Sequence, residues 1–145
     1  MTRSLQLSTR CLIVALPLLF AVSCSDGDTL TSPSSPSQLD GTWRLFQMTT
    51  GAGVHNEDLN AGRFSITLNT TTIQVRADCN SCSGPASLSG EVLTLGPLAC
   101  TLAACNSAPI DTRFSGLLTG AMTARVNNRL LQLNRPLGGE LRFQK

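Results

Sequence analysis

The sequence predicts a small α+β domain: an antiparallel, curved or barrel-like β-sheet with one helix packed on it. Three observations carry this. Apolar and polar residues alternate through most of residues 39–145, the period of a half-buried strand. One segment breaks that period: in "SAPIDTRFSGLLTGAM" (107–122), Ile110, Phe114, Leu117 and Leu118 fall at i, i+4, i+7 and i+8, which is a helical stripe. Asn and Gly pairs separate several of the alternating segments, as hairpin turns require.

Each element has its own warrant. "GTWRLFQM" (41–48) follows an Asp40-Gly41 turn and reads as a first strand. "RFSITL" (63–68) alternates strictly, with Phe64, Ile66 and Leu68 on one face. "TTTIQVRA" (70–77) repeats this with Ile73, Val75 and Ala77, and "EVLTL" (91–95) with Leu93 and Leu95. "TARVNNRLLQL" (123–133) is a hairpin turning at Asn127-Asn128, because Asn tolerates a positive φ. "ELRF" (140–143) follows a Gly138-Gly139 turn. The helix has Ser107 as its cap and Pro109 in its first turn, and Gly116 and Gly120 keep it short. No internal repeat is evident.

The N-terminus reads as a targeting segment. "MTRSLQLSTR" carries Arg3 and Arg10 and no acid, and the apolar run of 12 residues that follows contains Pro17. A spanning helix needs about 20 apolar residues; a positive start with a short apolar core is a secretory signal peptide over residues 1–23. The run ends in "AVSC" (21–24), which resembles a bacterial lipobox, with Ala21 where Leu is usual and Ser23 where Gly or Ala is usual. That resemblance implies cleavage before Cys24, lipid on its thiol and attachment to a membrane through that lipid. Residues 24–38 then form a tether. The 14 residues Ser25–Gln38 are rich in Ser, Pro and Asp with a single Leu, too polar to bury a core, and span roughly 20 Å as a coil. Ser25 stands where an Asp would favour inner-membrane retention in enterobacteria, so the expected location is the cell envelope, at the periplasmic face of the outer membrane.

Residues 39–145 are the globular domain, long enough for one modest core. After the signal peptide, nine basic residues face nine acidic ones. A net charge of zero lacks the electrostatic footprint of a nucleic-acid binder.

Cys79, Cys82, Cys100 and Cys105 remain in the domain. Zinc is one reading of C-x₂-C followed by C-x₄-C, but the second knuckle is long for a zinc ribbon and no His lies near it. A redox couple is another, but Asp78 precedes Cys79 and would raise its pKa, and "CNSCSGP" reads as turn chemistry after a strand rather than a helix start. In an exported domain four cysteines read best as a disulfide framework, with three possible pairings. A nested pairing suits two antiparallel segments folding back on each other. One such loop of about 25 residues adds roughly 3–4 kcal/mol.

With these residues placed, the domain resembles the META / heat-shock HslJ family. The family's L-x-G-T-W-x-L opening reads "LDGTWRL" (39–45) here, its G-C-N-R-F-S-G turn "DCNSCSG" (78–84), its G-x-L-A-x-T-R-M-A-C segment "GPLACTLAAC" (96–105), and its terminal strands "RLLQLNRPLGGELRF" (129–143). The resemblance covers essentially all of residues 39–145. Cys79 and Cys105 match the family's usual cysteine pair, and Cys82 and Cys100 are additions. The resemblance thus implies Cys79–Cys105 with Cys82–Cys100 nested inside it. Gly is replaced by Asp78 and the motif arginines by Ser81 and Leu102, so a role resting on those arginines is not expected here. Family members are often envelope lipoproteins or exported proteins, one is heat-inducible, and no enzymatic activity is established for the domain. The fold is similar to a secretion-pilot lipoprotein whose cracked barrel holds lipid.

The remaining candidates are weak. His55 is the only histidine and lies in a Gly/Asn-rich loop with Glu57 and Asp58, which favours a solvated loop over acid–base chemistry. Trp43 reads as core or barrel lining. Arg125, Arg129, Arg135 and Arg142 fall in the C-terminal hairpin region and read as a solvated face before a patch for anionic headgroups. The expectation is a non-catalytic, lipid-anchored envelope protein, structural or stress-related, with no catalytic residue, metal or cofactor. The alternative is a carrier or pilot that binds an apolar ligand or peptide. A thiol–disulfide enzyme ranks below both.

Overall fold

The alternating segments close on themselves. In a computed structural model, which describes residues 35–51, 53–55, 59, 62–105 and 108–145, the strands are β1 (Gly41–Thr50), β2 (Gly53–His55), β3 (Phe64–Leu68), β4 (Thr72–Ala77), β5 (Asn80–Ser89), β6 (Val92–Leu95), β7 (Ala99–Cys100), β8 (Gly120–Asn127), β9 (Leu130–Asn134) and β10 (Glu140–Gln144). All pairings are antiparallel. Eight strands, β1, β3, β4, β5, β6, β8, β9 and β10, follow one another around a ring that β10 closes against β1. The two short strands lie off the ring: β2 extends β1 as a hairpin, and β7 pairs with β5.

The interior of an eight-stranded ring is either filled by side chains or holds one small ligand; here side chains fill it. Trp43, Phe64, Phe114, Phe143, Met48 and Ile66 are among eleven large residues less than 2% exposed. The register lines these positions up: Trp43 faces Ile66, Ile66 faces Val75, and Val75 faces Cys82 across four neighbouring strands. At Phe46 the register between β1 and β10 slips by one residue. That β-bulge lets Leu45 and Met48 both turn inward, which plain alternation forbids.

The two ends of the barrel are stopped differently. At the end where β1 begins, helix α1 (Pro36–Leu39) lays Leu39 into the core at 3% exposure. Its sequence, Ser35-Pro-Ser-Gln, has Pro at the first helical position and a Gln three residues after the cap, whose side chain accepts the Ser35 N–H at 3.0 Å. The indole N–H of Trp43 donates to the Leu39 carbonyl at 2.7 Å. Lys145 covers the same ring, with Nζ 4.2 Å from its centroid and donating to the Asp40 carbonyl at 2.8 Å. The tether expected over residues 24–38 therefore ends earlier than its composition indicates.

Helix α2 (Ala108–Leu117) serves as a plug more than as a layer. Its stripe is the expected one: Phe114 and Leu118 are fully buried, Leu117 nearly so, and Ile110 packs partly against the core. The Phe114 ring meets Phe64 edge-on at 5.5 Å and Phe143 at 6.2 Å. The fold is thus mostly β, and the helix supplies one aromatic wedge to a closed sheet. The expected cap Ser107 lies outside the described residues.

Three local expectations shift. The β8–β9 turn is Asn128-Arg129, one residue later than expected, with Asn128 at φ 54°. The Gly/Asn-rich loop after β1 contains strand β2. The stretch after Cys82 is no turn but the middle of β5, the joint longest strand.

Candidate functional site

The chemistry-bearing residues gather at the barrel end opposite α1, where the β4–β5 hairpin turns. That turn is two residues, Asp78-Cys79, between the paired Ala77 and Asn80. Asp78 sits at φ 58°, a conformation that Asp tolerates better than most residues. It is held from both sides: its N–H donates to the Arg63 carbonyl at 2.8 Å, and its carboxylate receives Arg63 Nε at 2.8 Å and Nη2 at 2.6 Å.

The segment 96–105 lies along β5. Gly84 and Gly96 make the approach possible: a Cβ on Gly84 would stand 2.6 Å from the Pro97 carbonyl oxygen, and one on Gly96 2.6 Å from the Pro85 ring. From there β7 pairs Cys82 with Cys100 and Ser83 with Ala99. Thr101 N–H donates to the Ser81 carbonyl at 3.0 Å, so Cys82 and Cys100 occupy a non-hydrogen-bonded pair, the narrow position of an antiparallel ladder. Their Cα atoms are 4.0 Å apart and their sulfurs are bonded. Cys79 is bonded to Cys105, with Cα atoms 5.7 Å apart. The two disulfides are nested. With all four sulfurs so bonded, no thiolate among them is free to hold zinc or attack a substrate.

Asn80 organises the space between the disulfides. Its Oδ1 accepts from Ala103 N–H at 2.8 Å and from Thr101 Oγ1 at 3.1 Å. Its Nδ2 lies 3.1 Å from the Ala103 carbonyl, 3.0 Å from Cys105 Sγ and 3.3 Å from Asp111 Oδ2 in the first turn of α2. Asp111 is the only buried polar or charged side chain among the described residues, and Thr112 Oγ1 donates to its other oxygen at 3.3 Å. One amide thus ties hairpin, loop and helix together. Sequence reasoning placed Asn80 only as part of a motif; the signal was its position directly after the first cysteine of the nest.

The other candidates do not converge on this end. Trp43 is fully buried at the opposite end. His55 ends β2, with its backbone paired to Met48, and Glu57, Asp58 and Cys24 lie outside the described residues. The four arginines are split. Arg125 faces Glu91 at 3.6 Å, and Arg142 pairs with Glu140 on the barrel's outer face. Arg129 donates through Nε and Nη2 to the Lys145 carbonyl at 3.1 and 2.7 Å. Arg135 lies in the β9–β10 turn, its N–H bonded to the Gly139 carbonyl. Two recesses accompany these residues. One of about 100 Å³ opens beside Leu39, Leu68 and Leu93 at the α1 end. A larger one of about 340 Å³ runs over Phe46, Leu130, Arg125 and Arg142 outside the barrel. Among the described residues, no group of three or more His, Cys, Asp or Glu is placed to hold a metal ion.

Fold and site together define a small closed antiparallel β-barrel, packed solid and stapled at one end by two nested disulfides. The family model of the META domain matches residues 37–145. The chain belongs to the META domain family. No curated protein matches it. Among solved structures it is similar to a protein from Burkholderia xenovorans studied by NMR, 21% identical, with a TM-score of 0.60 over 79% of this chain and 90% of that one. A second NMR structure is 22% identical, with a TM-score of 0.57 over 77% of this chain and 94% of that one. Both likenesses concern the fold.

Proposed function

We propose that this META-family protein is a non-catalytic, lipid-anchored component of the cell envelope with a structural or stress-related role. In this reading its barrel acts through the surface it displays rather than through a ligand it encloses. The observation that supports this is the filled interior: Trp43, Phe64, Phe114 and Phe143 are all fully buried along the space where a carrier would hold its cargo. Small-molecule sites run from about 300 Å³ upward; the recess at the α1 mouth is about 100 Å³, and the one over Phe46 and Leu130 that reaches this size, about 340 Å³, lies outside the barrel rather than within it. The carrier reading therefore has less support. The membrane connection is the lipid on Cys24, at the end of the lipobox-like "AVSC", and the periplasmic face of the outer membrane is the proposed location.

Metabolic labelling with a palmitate analogue tests the anchor. The wild-type chain takes up label and sediments with outer membranes, and Cys24→Ser does neither. An unlabelled wild-type chain in the soluble fraction would end this reading. Native mass spectrometry of the purified chain tests the carrier alternative, which predicts a co-purifying lipid or peptide.

A further inference from the structure

Thr101, Leu102, Ala103 and Ala104 are all exposed, and Leu102 is 95% exposed. A single exposed leucine is ordinary. What sets this one apart is the restraint on its neighbours. Cys100 and Cys105, at the two ends of the segment, are each covalently tied to the β5 hairpin. Thr101 is bonded on the side before Leu102, through its N–H to Ser81 and its hydroxyl to Asn80. Ala103 is bonded on the side after it, through both N–H and C=O to Asn80. No residue from Pro97 to Cys105 has a positive φ, and the segment continues directly from a paired strand. Leu102 is thus a bare apolar side chain on a short backbone stretch fixed on both sides. The segment "GPLACTLAAC" carries no charge.

Serine endopeptidases bind a substrate segment with one side chain in a primary pocket, whose chemistry sets specificity. A segment already held in shape loses little freedom on binding. We propose that Cys100–Cys105 is a substrate-like inhibitory loop for a serine endopeptidase with an apolar primary pocket. Leu102 fills the pocket, and Leu102–Ala103 is the bond presented to the enzyme. This goes beyond the envelope role above and does not depend on the anchor.

The restraints explain why the protease would be trapped rather than fed. Its serine oxygen adds to the Leu102 carbonyl carbon. The Leu102–Ala103 C–N bond then breaks, and the serine's proton passes through the enzyme's histidine to the Ala103 nitrogen. The result is a Leu102 ester and a free amine on Ala103. That amine cannot leave, because Cys105 two residues on is bonded to Cys79 and Asn80 holds Ala103 by its N–H and carbonyl. A group so placed acts at an effective concentration on the order of 10⁵ M or more. It re-attacks the ester ahead of water, restores the peptide bond and returns the proton to the serine.

The test uses the full-length chain with its disulfides intact, titrated into chymotrypsin, whose primary pocket is apolar, and into trypsin, whose pocket is acidic. Stoichiometric inhibition of chymotrypsin, with any cut within residues 39–145 confined to Leu102–Ala103, is expected, and trypsin should be left uninhibited. Leu102→Arg changes a solvent-exposed side chain and should leave the fold intact. It should weaken chymotrypsin inhibition by about 100-fold, the size of an anchor-residue loss, and create inhibition of trypsin. Asn80→Ala should turn the inhibitor into a substrate, cut at the same bond at least about tenfold faster. Should Asn80→Ala fail to fold, the Leu102→Arg result decides alone. Rapid cutting of the wild-type loop without inhibition, no effect on either enzyme, or inhibition indifferent to Leu102→Arg would each overturn the proposal.

Discussion

Asn80 and Ala103, 23 residues apart, are joined by a side-chain amide that takes the backbone N–H at 2.8 Å and gives a hydrogen to the carbonyl at 3.1 Å. The side chain completes a two-point ladder contact that a strand would otherwise have supplied, and so loop 101–105 needs no strand of its own.

Asn80→Ala should lower stability by about 2 kcal/mol, from several half-buried bonds worth about 1 kcal/mol each net. Asn80→Asp has the same shape but cannot donate to Ala103 O or Cys105 Sγ. It also places a second carboxylate beside Asp111, whose Oδ2 is 3.3 Å from Nδ2 in the wild type. At neutral pH the aspartate variant should therefore be the less stable of the two in urea unfolding. Equal midpoints would show that Asp111 does not feel position 80.

The nested disulfides should not act additively. The outer bond spans 26 residues and the inner one 18. Once either is closed, the other closes only a small remaining loop. Replacing Cys79 and Cys105 by Ala, or Cys82 and Cys100 by Ala, should each cost about 2.5 kcal/mol, about 5 in sum, while replacing all four should cost about 6. Guanidinium unfolding of the three variants checks this. A quadruple variant no worse than the sum of the pairs would contradict the nesting argument.

Asp78 tests backbone strain apart from charge. Asp78→Ala and Asp78→Gly both lose the Arg63 contact, but only Ala must hold a Cβ at φ 58°. The glycine variant should be more stable than the alanine variant by about 1 kcal/mol, read as a difference in thermal midpoints.

Phe114 is the wedge that α2 contributes to the barrel, fully buried between Phe64 and Phe143. Phe114→Ala should cost about 3–5 kcal/mol through lost transfer energy and the cavity left behind. A loss under 1 kcal/mol in denaturant titration would mean that the helix is an ornament on a self-sufficient sheet.

Much of this architecture was legible in the sequence, for identifiable reasons. Strands β3, β4 and β6 alternate cleanly because one face is core and the other water. The stripe through Phe114 and Leu118 announced α2 because it breaks that alternation. Strand β5 was not legible. Its inward positions are Cys82, Gly84, Ala86 and Leu88, and small residues leave almost no hydrophobic signal. Gly84 and Pro85, which locally read as a turn, are there because segment 96–98 presses against the strand. Helix α1 hid inside a Ser/Pro-rich stretch whose capping pattern occupies four residues. At the stapled end the cysteines could be seen, but the reach of Asn80 could not, since no spacing rule ties residue 80 to residues 101, 103, 105 and 111.

The positions of α1 and of the disulfides have a geometrical corollary. The chain enters the barrel at one pole, beside Trp43 and Lys145, and carries its clasped loop at the other, beside Asn80. Strand β4 alone, six residues long, separates the two by about 20 Å. A molecule moored through its N-terminal segment would therefore point residues 101–104 away from the mooring.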